Sequence, residues 1–179
     1  LSYKYEGNYV PLRGKECSTQ QMPFISEKIP TFEEFANASI EEIYGEEIVD
    51  AYERKVTSFE SIILINKGEN KFEIEKLPPL AQSIPILTSD TYDFNDDGYD
   101  DVIIAGNIYN TEVETPRLDN QFALILISDK KSNYGIVAPE KSGLYLSGNT
   151  KSLKIIKDEN PKLLVANNNS NLEVFELNN

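Results

Sequence analysis

The sequence predicts an all-β protein with one small helical insertion. Three observations carry this. From Val56 onward apolar residues fall in short β-branched runs separated by turn formers, helical spacing is confined to residues 31–55, and two turn-bearing segments recur at nearly one offset.

Residues 1–30 read as an extended N-terminal segment. Turn formers interrupt "YEGNYVPLRG", and "QQMPFI" runs toward Pro30. Residues 31–55, "TFEEFANASIEEIYGEEIVDAYERK", read as the helical insertion: Thr31 with Glu34 and Ser39 with Glu42 are two capping boxes in succession. Phe32, Phe35 and Ala36 would form one buried stripe, and Ile40, Ile43 and Tyr44 the next. Gly45 suits a C-cap. In residues 56–179, "SFESIILIN" and "KFEIEKL" flank "KGEN" as a hairpin. Further strands are expected at "SIPILTS", "DVIIAGN", "FALILIS", "YGIVA", "SLKII", "KLLVAN" and "LEVFEL".

Many short strands suit a sandwich, a barrel or a propeller, and the recurrence chooses among them. "NKGENKF" aligns with "SDKKSNY" at an offset of about 62 residues, and "DGYDDVIIAGN" with "DENPKLLVANN" at about 61. A repeated four-stranded antiparallel unit follows, the blade of a β-propeller. Residues 56–179 are therefore expected to form successive blades of a partial propeller.

Composition narrows function. With 40% hydrophobic residues in 179, the chain can bury a core, and no apolar run approaches the ~20 residues of a membrane-spanning helix. A net charge of −13 opposes nucleic acid and anionic membranes and favours cations. Histidine is absent and Cys17 is the single cysteine, so the usual zinc ligands and activated nucleophiles lack their components. No residue is nominated as catalytic. The opening "LSYKYEGNY" has neither an initiator Met nor a signal pattern, so a fragment of a longer protein is expected.

One stretch carries chemistry. In "DFNDDGYDDVIIAGN", residues Asp93, Asn95, Asp97, Gly98 and Asp101 follow the spacing D-x-N-x-D-G-x-x-D. Alternate residues of a tightly curled loop point inward, Gly98 permits the turn, the Tyr99 carbonyl follows, and Asp101 closes the shell. Hard oxygen donors of this kind suit Ca²⁺ and offer nothing to thiolate or imidazole metals. An EF-hand would need Glu where Ile104 stands, so the loop is expected to join β-strands. Asp, Asn and Gly are also ordinary turn residues. A solvated turn, however, does not explain why acids and an amide fall on the ligand positions. At the repeat offset these positions become Lys154, Ile156, Asp158 and Lys162, and that copy is expected to be metal-free.

The loop with "DVIIAGN" after it and "NKGENKFEIEKLP" before it resembles the FG-GAP/VCBS repeats of integrin-type β-propellers. "PLRGKECSTQQMPFI", "TFEEFANASIEEIYG", "LPPLAQSIPI", "AGNIYNTEVETPRLD" and "SGLYLSGNTKSLKII" are similar to the C-terminal region of large secreted bacterial VCBS-repeat proteins of the ASPIC/UnbV-associated kind. The resemblance covers nearly the whole chain. It implies a calcium-stabilised propeller at the cell surface or beyond, with Asp93, Asn95, Asp97, Tyr99 through its carbonyl, and Asp101 as ligands. Two departures stand out: one complete calcium loop where such propellers often carry several, and no ASPIC/UnbV segment. Both fit a chain holding the last few blades of a longer protein.

Other polar segments have simpler readings. Arg117 and Asp119 in "TPRLDN" suit a surface ion pair better than a second site, and "NNNSN" suits a hairpin turn better than a sugar site. Most of the ten tyrosines belong to strands and core. The expected function is a noncatalytic binding or scaffold module of the cell envelope, taking calcium and a protein or glycan ligand. The alternative is part of an extracellular carbohydrate-acting enzyme, marked by two facing carboxylates ~5–10 Å apart.

Overall fold

The computed structural model describes residues 2–113, 115–120, 122–131 and 133–177. It divides into two compact units, Leu1–Thr57 and Ser58–Asn179.

The first unit corrects the expectation of an extended segment over residues 1–30. Strands β1 (Ser2–Tyr5) and β2 (Asn8–Pro11) pair as an antiparallel hairpin, and helices α1 (Lys15–Gln21) and α2 (Phe24–Lys28) follow. Glu6 and Gly7 turn the hairpin at φ 46° and 94°, the left-handed pair that matches strand twist. Helix α3 (Phe32–Asn37), helix α4 (Ile40–Tyr44) and a 3₁₀ turn (Gly45–Ile48) complete the unit, so helical structure ends at Ile48 rather than at residue 55.

Helices this short do not stand alone in water, where about 12–15 residues are marginal. Caps and a shared core hold them. Both expected capping boxes form: the Glu34 N–H donates to Thr31 Oγ1 at 3.1 Å while the Thr31 N–H donates to Glu34 Oε2 at 3.1 Å. The Glu42 N–H donates to Ser39 Oγ at 3.2 Å and the Ser39 N–H to Glu42 Oε2 at 2.7 Å. Gly45 caps α4 at φ 67°. Phe35 and Ile43 are buried against Ile25 and Ile29, which brings α2, α3 and α4 onto one core. Phe32 and Ala36, expected beside Phe35, are exposed. A helix of six residues offers one inward side, and Phe35 takes it.

The second unit is built of small antiparallel sheets, as the all-β expectation requires. Strands β3 (Ile62–Asn66) and β4 (Phe72–Lys76) form a hairpin. A 3₁₀ turn (Pro79–Ser83) leads to β5 (Thr88–Tyr92), β6 (Asp101–Ala105), β7 (Leu124–Ser128) and β8 (Tyr134–Val137), a four-stranded sheet in that order. A short helix α5 (Pro139–Ser142) precedes β9 (Thr150–Ile156), β10 (Lys162–Asn167) and β11 (Glu173–Glu176), a three-stranded sheet in the order β11-β10-β9.

Strand β6 reads apolar without alternation because both of its faces are covered. Ile103 and Ala105 join the cluster of Leu144, Leu146, Leu153, Ile155, Leu163 and Val165. Ile104 points the other way, to Leu77, Ala81, Ile84, Leu124 and Leu126. The strand expected at "SIPILTS" is displaced: it starts at Thr88 and runs through the polar "TSDTY". Its polar side chains have work at the seam between the sheets. Thr88 Oγ1 accepts the Leu153 N–H at 3.0 Å, and Asp90 Oδ2 accepts the Ile155 N–H at 2.7 Å. Two edge strands, β5 and β9, are thereby joined by side chain to backbone.

Candidate metal loop

The acidic segment connects β5 to β6, as the sequence predicts for a loop between strands. Its side chains fold the backbone around themselves. Asp93 Oδ1 accepts the Asp97 N–H at 3.0 Å and its Oδ2 accepts the Gly98 N–H at 2.7 Å. Asn95 Oδ1 shares the Asp97 N–H at 3.0 Å, and Asp97 Oδ1 accepts the Tyr99 N–H at 3.0 Å. Asp96 and Gly98 take left-handed conformations, φ 55° and 83°, which let the chain curl this tightly.

Asp101 is fully buried at the first position of β6. Its Oδ2 accepts the Phe94 N–H at 3.1 Å, closing the loop, and its Oδ1 accepts the Ser128 N–H at 2.9 Å, tying the loop to the end of β7. This carboxylate therefore has a structural task beyond any ligand role.

A cation already touches the loop. Lys130, in the β7–β8 turn, places its ammonium 3.3 Å from Asp97 Oδ2 and 3.4 Å from the Asp97 carbonyl oxygen. The same ammonium lies 4.7 Å from the centre of the Tyr99 ring. Partial burial works to raise the Asp97 pKa, but the Tyr99 N–H and the Lys130 ammonium outweigh it and hold the carboxyl below its usual range. Sequence reading missed Lys130. The signal was present in the alignment of "SDKKSNY" with "NKGENKF", which sets Lys130 opposite Gly68.

In kind, the donors fit a hard divalent cation. Asp93, Asn95, Asp97, Asp101 and the Tyr99 carbonyl supply oxygen alone, and an oxygen that accepts one N–H keeps a second lone pair. Among the described residues, no three His, Cys, Asp or Glu side chains converge on a common point. Backbone N–H groups, with Lys130, hold the carboxylates here.

At the repeat offset, Asp158 Oδ1 accepts the Asn160 N–H at 2.9 Å, the same two-residue turn that Asp97 makes with Tyr99. Lys154 reaches back to Asp90 at 2.9 Å, and Lys162 begins β10. Ile156 ends β9.

The remaining polar candidates are occupied by structural contacts. Arg117 Nη2 pairs with Asp119 Oδ2 at 2.7 Å, and the guanidinium lies over the Tyr109 ring at 4.7 Å. The Tyr109 O–H donates to the Ser147 carbonyl at 3.1 Å, and burial followed by the Asp119 charge raises its pKa. Buried Asn107 donates to the Gly148 carbonyl at 2.7 Å and accepts the Asn120 N–H at 2.9 Å. The "NNNSN" segment runs from the end of β10 into the β10–β11 connection, and in β10 Asn167 Oδ1 accepts the Thr150 hydroxyl at 3.0 Å. A cavity of about 530 Å³ opens among Tyr92, Phe94, Ile125, Val137, Leu144 and Phe175. Glu176 is the one carboxylate on its wall among the described residues.

Comparison with protein-family models, with curated proteins and with solved structures returns no match.

Proposed function

We propose that the chain is a noncatalytic, calcium-stabilised β-propeller module of a secreted or cell-surface protein, serving in binding or as a scaffold. The observation that carries this reading is the loop of residues 93–101, where the ligand-spaced side chains bend the backbone around oxygen donors. Asp93, Asn95, Asp97, the Tyr99 carbonyl and Asp101 would hold the ion. Calcium would draw the carboxylates of the loop onto one ion and would link the β5–β6 loop more firmly to β6.

Support for repeated blades comes from matched hydrogen bonds. The Lys67 N–H donates to the Lys71 carbonyl and the Asp129 N–H to the Asn133 carbonyl, each at 2.9 Å. Strand pairs β3–β4 and β7–β8 thus share one turn closure at the offset that the sequence suggested, and the loops carrying Asp97 and Asp158 share another.

Calorimetric calcium titration and thermal melts with calcium or chelator test the reading. Saturation at about 100-fold above Kd should add roughly 2.7 kcal/mol of stability. Asp97→Ala should abolish most of that gain, and Asp158→Ala should retain it. Identical melts of the unaltered protein in calcium and in chelator would sink the proposal.

A further inference from the structure

Lys130 stands where its backbone favours glycine. At φ 66° it is in the left-handed region, which a Cβ disfavours and glycine adopts freely. The matching position of the β3–β4 turn holds Gly68 at φ 79°. The two turns share one closure at this position, with the Gly68 N–H donating to Asn66 Oδ1 at 2.8 Å and the Lys130 N–H to Ser128 Oγ at 3.2 Å, while Asp129 further fastens the second turn by accepting the Lys131 and Asn133 N–H groups. The turn itself therefore does not call for a lysine. What the lysine adds is an ammonium on Asp97.

Its placement is specific. Asp97 Oδ1 is committed to the Tyr99 N–H, and Lys130 takes the other oxygen, Oδ2, together with the carbonyl of the same residue. The face of the Tyr99 ring steadies the ammonium from a further side. Thus a single positive charge rests on a side chain that the calcium reading counts among the ligands. An ammonium and a dication cannot share that carboxylate at close range without strong repulsion. The lysine has a way out, since its side chain is 44% exposed on a flexible four-carbon stem.

We propose that Lys130 is a resident counter-cation of the acidic loop, which compensates its charge when calcium is absent and must leave Asp97 before calcium binds. The residue thereby weakens calcium affinity while supporting the calcium-free fold. This rests on the calcium reading above and adds to it a residue that tunes the site.

The test compares the full chain with Lys130→Gly and Lys130→Met, using calcium chloride as the probe in calorimetric titration and melts in chelator. Glycine suits the turn, so that variant folds even if methionine strains it. Turn strain is common to the free and bound states and leaves Kd unmoved. Both variants should bind calcium more tightly, by roughly tenfold in Kd. In chelator Lys130→Met should melt below the unaltered protein, and saturating calcium should narrow or reverse the difference. A purely structural lysine would lower both melts equally and leave Kd where it was. Binding by the unaltered protein with the same Kd in both variants overturns this inference and leaves the calcium reading standing. Binding by the variants alone removes the calcium reading of the unaltered protein and, since this inference rests on it, the inference too. No binding by any of the three removes the calcium reading and this inference with it.

Discussion

The Asp90 carboxylate accepts the backbone N–H of Ile155, 65 residues later in the chain, at 2.7 Å. The Lys154 ammonium sits against both carboxylate oxygens, 3.0 Å from Oδ1 and 2.9 Å from Oδ2. An unpaired edge N–H of β9 is thus satisfied by a charged acceptor from β5, an arrangement stronger than a neutral hydrogen bond.

Asp90→Ala should therefore lower stability by about 1.5–3 kcal/mol, the range for a lost hydrogen bond to a charged group. Asp90→Asn should lose less, because the amide oxygen can still accept. Equilibrium denaturation gives the magnitude, and faster hydrogen exchange at the Ile155 amide gives the cause. An alanine variant as stable as the parent would refute the role.

Acid should weaken the fold through the same residue. Burial works to raise the Asp90 pKa, but the Ile155 N–H and the Lys154 ammonium prevail and depress it; for Asp129 the Asn133 side chain leads the depression. A depressed folded pKa means that the unfolded chain binds protons more readily. The stability these groups contribute is full above the unfolded carboxylate value of about 4 and is lost as pH falls through the lower folded values. Melting temperatures should hold level from neutral pH down to about 5 and then fall, less steeply in Asp90→Asn. Equal slopes in parent and variant would count against Asp90.

Gly106 should not tolerate a side chain. A Cβ built there overlaps the Pro85 carbonyl oxygen and crowds the backbone nitrogen and side chain of Leu87. Gly106→Ala is expected to cost about 1–3 kcal/mol, since the backbone it meets must move. Gly135→Ala in β8 has nothing within 4 Å and serves as the control, with a small effect. Comparable melts for the two variants would contradict this packing.

Removing the caps of the first unit should loosen its short helices. Thr31→Ala and Ser39→Ala should each cost about 1 kcal/mol, with faster amide exchange at Glu34 and Glu42 respectively. Unchanged exchange would show that the tertiary core alone holds those turns.

Much of this fold was legible where burial and local chemistry agree. Strands β3, β4, β6, β7 and β10 read clearly because β-branched and apolar runs end at turn formers. The capping boxes read clearly because their logic is local. Strand β5 did not, since Thr88 and Asp90 serve a partner 65 residues away and leave no apolar pattern. Helices α1 and α2 were missed because Met22 and Pro23 cut the helical spacing into pieces, although Ile25 and Ile29 kept an i, i+4 pair. In the acidic loop the ligand-spaced residues could be listed from sequence. The double backbone clasp of Asp101 and the ammonium of Lys130 depend on β7 and its turn, which lie far along the chain.

The seam between β5 and β9 also bears on solubility. An edge strand with open N–H groups is a template on which a stray chain can add a strand and start an aggregate. Here Thr88 and Asp90 occupy the N–H groups of Leu153 and Ile155, and a carboxylate paired with Lys154 stands in the way of any newcomer. The polar character that hid β5 from sequence reading is what guards this edge.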